Sequence, residues 1–170
     1  ESYHSKHGAV QEAMHVFIKN GFSHFIAAKK PLKILEIGFG TGLNAFITLL
    51  EAEKNQQHVS YVGIEKFPVS EEEFDAINFF DDVFKFYPEL VNREEELRIV
   101  YRYLFLSNWE EWQILSPHFR IKKVQDDFFN LKNCNETEFD LVYFDAFGSQ
   151  VQPEMWEKKL FEIVDSTTKS

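Results

Sequence analysis

The sequence predicts an α/β fold, doubly wound about a mostly parallel sheet, and three observations carry that expectation. Short apolar runs alternate with stretches of helical periodicity along the chain. The run Lys33-Ile34-Leu35-Glu36-Ile37 leads directly into a glycine turn, Gly38-Phe39-Gly40-Thr41-Gly42, which opens a helical pattern. A second apolar run then ends in an acidic residue, Glu65, about 25 residues past the glycines.

Element by element, Ala9, Ala13, Val16 and Phe17 recur at helical spacing with Met14 and Ile18 beside them, so residues 8–29 read as an amphipathic helix that Pro31 stops. Residues 33–37 form a strand and residues 44–54 a helix. Residues 59–65 form the next strand, closing a right-handed β-α-β unit. Residues 70–96 look helical with a break at Pro88. Tyr101–Leu106 reads as a strand, although it does not alternate, and residues 107–116, with Trp109 and Trp112, as a short helix closed by Pro117. Phe119–Val124 alternates like a strand, and Phe139–Phe144 is a largely apolar strand ending at Asp145. Only 25 residues follow Asp145, fewer than a doubly wound sheet of usual size needs, which predicts truncation at the C-terminus and suggests it at the N-terminus. Residues 1–170 are expected to form a single domain.

The composition, 44% hydrophobic with 19 Phe, excludes a disordered chain. No apolar run has membrane-spanning length and the N-terminus has no signal-peptide character, so the expectation is a soluble protein without a membrane partner. The single cysteine, Cys134, excludes an internal disulfide and gives no metal-ligand spacing, which fits a cytoplasmic setting; His4, His7, His15 and His24 form no ligand set. A net charge of -10 argues against a nucleic-acid partner when taken alone. Any phosphate contacts would have to come from Lys29, Lys30, Lys33, Arg93, Arg98, Arg102, Arg120, Lys122 and Lys123.

The chemistry concentrates at the glycine turn, where absent side chains let backbone N–H groups approach a ligand. Glu65 stands where an acid accepts hydrogen bonds from both hydroxyls of a ribose. Asp126 and Asp127 follow a later strand, and either carboxylate could receive the exocyclic amine of an adenine or cap the next turn. The spacing is not that of a dinucleotide fold, because no small residue stands two positions after Gly42. An acid two positions before the first glycine, Glu36, is instead the pattern of methyltransferase cofactor loops, where it can hold the methionine part of the cofactor.

Glu36-Ile37-Gly38-Phe39-Gly40-Thr41-Gly42-Leu43-Asn44 resembles the cofactor loop of the MnmC-type tRNA wobble-uridine methyltransferases. Residues 3–12, Tyr3-His4-Ser5-Lys6-His7-Gly8-Ala9-Val10-Gln11-Glu12, are similar to that family's N-terminal segment. Phe144-Asp145-Ala146-Phe147-Gly148 through Gln152-Pro153-Glu154-Met155-Trp156 is similar to its fourth-strand motif, although Ser149, Gln150 and Val151 depart from the usual Pro and Asn. The resemblance implies a Rossmann-like class I methyltransferase that uses S-adenosyl-L-methionine to methylate the 5-aminomethyl group of the tRNA wobble 2-thiouridine, without the fused oxidase of some members. It implies that Glu36, Gly38, Phe39, Gly40, Thr41, Gly42, Asn44, Glu65, Lys66, Asp126 and Asp127 bind the cofactor and that Asp145 is catalytic. Tyr3, Glu12, Phe147 and Trp156 would meet the substrate, with Phe147, Pro153 and Trp156 walling the base pocket by stacking and Tyr3, Ser5, Gly8 and Glu12 closing over the cofactor from the N-terminal side. Two other readings stay open: a methyltransferase of a small-molecule or protein amine, which the acidic surface suits, and a non-catalytic module that binds S-adenosylmethionine.

Overall fold

The computed structural model describes residues 6–133 and 138–145, together with Glu162, Asp165, Ser166 and Thr168. The chain begins with helix α1, Lys6–Ala13, which runs without a break into a π-helical stretch, Met14–Phe22, and closes as α2, Ser23–Ile26. Strand β1, Leu32–Ile37, is followed by α3, Leu43–Asn55, and β2, Val59–Ile64. The next connection holds α4, Glu71–Asp75, α5, Phe80–Phe86, a 3₁₀ turn at Pro88–Arg93 and α6, Glu94–Leu106. Strands β3, Trp112–Ser116, and β4, Phe119–Val124, form a hairpin. A 3₁₀ turn, Phe128–Asn133, then precedes β5, Leu141–Phe144.

The sheet order is β3-β4-β2-β1-β5, parallel throughout except for β3, which lies antiparallel to β4 at the edge. This is the expected α/β architecture. The path steps outward from β1 to β2 and β4, then returns across the sheet to β5, so the order reverses between β1 and β5. Crevices for ligands form at such a reversal, beyond the carboxyl ends of the strands.

The larger core lies on one face of the sheet, where Ile34, Tyr61, Ile121 and Tyr143 meet side chains from every helix. Phe46 of α3 is fully buried there, with ring centroids 5.6 Å from Phe80 and 4.8 Å from Tyr101. Burying one such ring stabilises the fold by about 1.5–3 kcal/mol. The alternate strand residues Leu35, Ile37, Val62 and Ile64 build a smaller core on the opposite face.

Two expected elements differ. Residues 101–106 are the last turns of α6, because Leu97, Tyr101 and Leu104 recur at 3.6-residue spacing and are all buried, while Glu94, Glu95 and Glu96 occupy the positive end of the helix. Residues 112–116 are a strand, because pairing with β4 in the register Trp112↔Lys122 satisfies the backbone that the expected helix would have satisfied internally. The first helix starts two residues before the expected Gly8 and ends at Ile26, with Lys29 in a left-handed conformation (φ 48°) closing it.

Candidate functional site

The carboxyl ends of β1, β2, β4 and β5 bring together the glycine turn, Glu65, the pair Asp126 and Asp127, and Asp145. Asp145 is fixed beside the turn because its N–H donates to the Ile37 carbonyl at 2.9 Å, extending the β1–β5 ladder by one residue. The turn folds tightly over β2, where the N–H groups of Gly38 and Phe39 both donate to the Ile64 carbonyl at 2.9 and 3.1 Å.

Gly40, at φ 52°, has no atom within 4 Å of where a Cβ would stand, so the turn opens onto free space that a ligand can enter. Gly63 is a glycine for the opposite reason. An added Cβ there would lie 2.4 Å from Cδ2 of Phe39, so the strand offers the Phe39 ring a seat that any side chain would take away. The Phe39 side chain is therefore a core group, 3% exposed.

Beneath the turn, one amide joins two acids. Asn44 Nδ2, in the first turn of α3, donates to Glu36 Oε1 and to Asp145 Oδ2, each at 2.8 Å. Tyr61 donates its hydroxyl to Glu36 Oε2, also at 2.8 Å. Glu36 is 0% exposed with both oxygens engaged, Oε1 by Asn44 and Oε2 by Tyr61. Burial outweighs these hydrogen bonds and pushes its carboxyl up to about 8, which keeps Glu36 largely neutral at pH 7. Burial also raises the Asp145 carboxyl above its usual value; the Asn44 bond opposes this, and the negative charge of Glu12 adds to it. That coupling places Glu12, exposed on α1, at the Asp145 side of the site.

Glu65 accepts from the N–H of Gly40 at 3.1 Å and from that of Phe67 at 2.9 Å, so the acid expected at a ribose also ties β2 to the glycine turn. Lys66 reaches across to Asp127 Oδ2 at 2.8 Å and is otherwise exposed. The Lys66 bond holds the Asp127 carboxyl below its usual range, and Asp127 also caps the following 3₁₀ turn by accepting from Phe129 N–H. Asp126 uses Oδ1 for Asp127 N–H and Asn130 Nδ2. Both aspartates thus have capping roles, and Asp126 alone keeps an oxygen that accepts nothing among the described residues. Thr41 is half-buried in the turn. Gly8 lies within α1, while Tyr3, Ser5, Phe147, Pro153 and Trp156 lie outside the described residues.

Tyr61 and Gly63 complete the site and were not expected in it. A tyrosine inside the apolar run of β2 was the available signal, since a buried hydroxyl requires a partner. The cations fare less well than expected. Arg93, Arg98 and Arg102 are paired with Glu96, with Glu94, and with Glu71 and Asp75 respectively. Lys123 is 1% exposed, donates to the Phe105 carbonyl and sits 4.9 Å from the Trp109 ring, so it anchors the end of α6 and is not a surface charge. Among the described residues no helix is long and apolar enough to cross a membrane.

No protein-family model matches the chain. It is similar to the tRNA 5-methylaminomethyl-2-thiouridine biosynthesis bifunctional protein MnmC of several bacteria. The Leptospira interrogans protein is 26% identical over 175 residues, which cover 98% of this chain and 26% of the relative. The Campylobacter fetus protein is 30% identical over 143 residues, covering 83% of this chain and 22% of the relative. The chain thus spans about a quarter of the length of the relatives it matches. Among solved structures, MnmC2 from Aquifex aeolicus superimposes with a TM-score of 0.59 at 20% identity, over 95% of this chain and 48% of that one. The structure shares that fold, and the resemblance read from the cofactor-loop sequence is borne out by relatives that span nearly the whole chain.

Proposed function

We propose, taking kinship with the MnmC proteins as the premise, that this chain is a single S-adenosylmethionine-dependent methyltransferase domain whose acceptor is the 5-aminomethyl group of a tRNA wobble 2-thiouridine, in the cytoplasm. The observation that carries the reading is the Glu36–Asn44–Asp145 link under an open glycine turn at the sheet's reversal point. The residues present fit the cofactor. The first N–H groups of α3, left without a side-chain cap, suit its carboxylate; Glu65 suits its ribose hydroxyls, and the free oxygen of Asp126 its adenine amine.

When bound, the cofactor supplies a methyl group on a positively charged sulfur that leaves as a neutral thioether. In the transfer an N–C bond forms on the acceptor amine as the C–S bond breaks, and one amine proton is lost. The enzyme's part is alignment and proton control. Asn44 fixes the position of Asp145, whose raised affinity for protons suits it to orient the amine and accept its proton. A neutral Glu36 supports Asn44 without adding a third full charge beside Asp145 and Glu12.

Methylation of a small-molecule or protein amine is the second reading, favoured by the net charge of -10 and by the ion-paired arginines Arg93, Arg98 and Arg102 at and within α6. Nucleoside mass spectrometry decides between them. Under-methylated tRNA incubated with the protein and S-adenosylmethionine should gain one methyl group at the wobble uridine; an unchanged wobble nucleoside, with cofactor binding intact, would move the assignment to another amine.

A further inference from the structure

The acidic charge of the chain is unevenly placed. Residues 13–35 contain none of its 28 acidic residues but four of its 18 basic ones, Lys19, Lys29, Lys30 and Lys33, together with His15 and His24. Glu12 and Glu36, at the site, mark the two ends of this acid-free stretch. In the structure it comprises the π-helical stretch, α2 and the turn into β1.

His15, Lys19 and His24 are exposed at spacings of four and five residues, which align on one face of a helix bonded from i to i+5. Lys29 and Lys30 follow in an exposed turn whose backbone is fixed by Lys29 N–H donating to the Ile26 carbonyl at 3.3 Å and by Gln57 Nε2 donating to the Lys30 carbonyl. Lys19, Lys29 and Lys30 form no ion pair among the described residues, in contrast to Lys66, Lys85, Arg93, Arg98 and Arg102. Three lysines without an ion pair among the described residues thus lie along one segment, the helix that carries Glu12, beside Asp145, and the turn that follows it toward the amino end of β1; elsewhere Lys54 and Arg120 are exposed without one, each alone in its segment.

We propose that this face of the N-terminal helix binds the phosphate backbone of an RNA substrate while the reacting base enters beside Asp145. The proposal rests on the functional reading above and supplies what the net charge withholds, a local surface to which a polyanion is attracted while the acidic remainder repels it. A helix of this length offers a track of about 20 Å, long enough for several phosphates.

The test is the salt dependence of binding of under-methylated tRNA to the full chain and to the triple variant Lys19→Gln, Lys29→Gln, Lys30→Gln, with Lys54→Gln as a control. Losing three phosphate contacts should lower the slope of log affinity against log salt by about 3 and weaken binding roughly tenfold or more at low salt. Thermal stability and cofactor affinity should stay at the wild-type level, which separates the effect from misfolding. An unchanged slope in the triple variant, or an equal loss in Lys54→Gln, overturns the proposal and leaves the methyltransferase reading standing. Wild-type protein with no salt-dependent tRNA binding overturns the proposal and the tRNA substrate together. Methyl transfer to the free nucleoside then reports separately on the chemistry.

Discussion

A carboxyl as deeply buried as that of Glu36 couples the stability of the fold to pH in one direction. Unfolded, the group titrates near 4.5, and folded near about 8, so the folded protein holds this proton more tightly. Its stabilising contribution is fully present below 4.5 and is lost as the pH rises through about 8. Glu36→Gln keeps the shape without the titration, its oxygen still accepting from Asn44 and its amide nitrogen donating to the Tyr61 hydroxyl where the carboxyl accepts from it, so its melting temperature should fall less than that of the wild type between pH 5 and 8. Equal slopes for the two proteins would show that the Glu36 carboxyl does not titrate in that range. Asp145 works differently, because it faces the site. Asp145→Asn should lower turnover by about 10²-fold or more while cofactor affinity, read by calorimetry, stays within twofold. A parallel loss of affinity would make Asp145 a cofactor ligand and not the residue that handles the acceptor.

Among the elements, α6 connects packing to the site. Its Leu104 is 0% exposed and its methyl group stands 2.8 Å from where a Cβ on Gly42 would be, so the helix forms the floor of the glycine turn. Leu104→Ala should cost about 2–5 kcal/mol in urea unfolding and should also weaken cofactor binding, because the cavity loosens the turn. Full cofactor affinity in the destabilised variant would separate the turn from α6. Sequence periodicity misassigned the end of this helix because Tyr101-Arg102-Tyr103-Leu104-Phe105-Leu106 is aromatic and apolar on more than one side; Tyr103 and Leu106 are in fact exposed. Only the packing of Leu97, Tyr101 and Leu104 against one core shows which period governs. The strand at Trp112 was misread for a related reason, since an edge strand is defined by its partner, here β4.

For the molecule as a whole, cofactor binding should appear as stability. A ligand at 100 times its dissociation constant adds about 2.7 kcal/mol, which for a domain of this size raises the melting temperature by roughly 5–10 °C. S-adenosylmethionine or its demethylated product should produce such a shift, and Glu65→Ala should remove most of it. A shift of full size in Glu65→Ala would exclude Glu65 from the cofactor site.

The sequence by itself determined the α/β class, the strand–turn–helix unit around Gly38–Gly42, and the positions of Glu65 and Asp145 at strand ends, because these rest on local periodicity and on backbone conformations that glycine permits. It also carried the resemblance to the MnmC proteins, in the motifs at residues 3–12, 36–44 and 144–156. Tertiary structure alone decided that Glu36 is a buried support, that Phe39 is a core ring seated on Gly63, and that Lys123 anchors a helix. Each of those roles depends on which groups from distant segments exclude water around a side chain, and that information exists only once the strands are ordered and the helices packed on them. Charge followed the same division: composition gave its excess, whereas the structure showed which cations are paired, among them Arg98 and Arg102 of α6, and that Lys19, Lys29 and Lys30 of the N-terminal segment form no ion pair among the described residues.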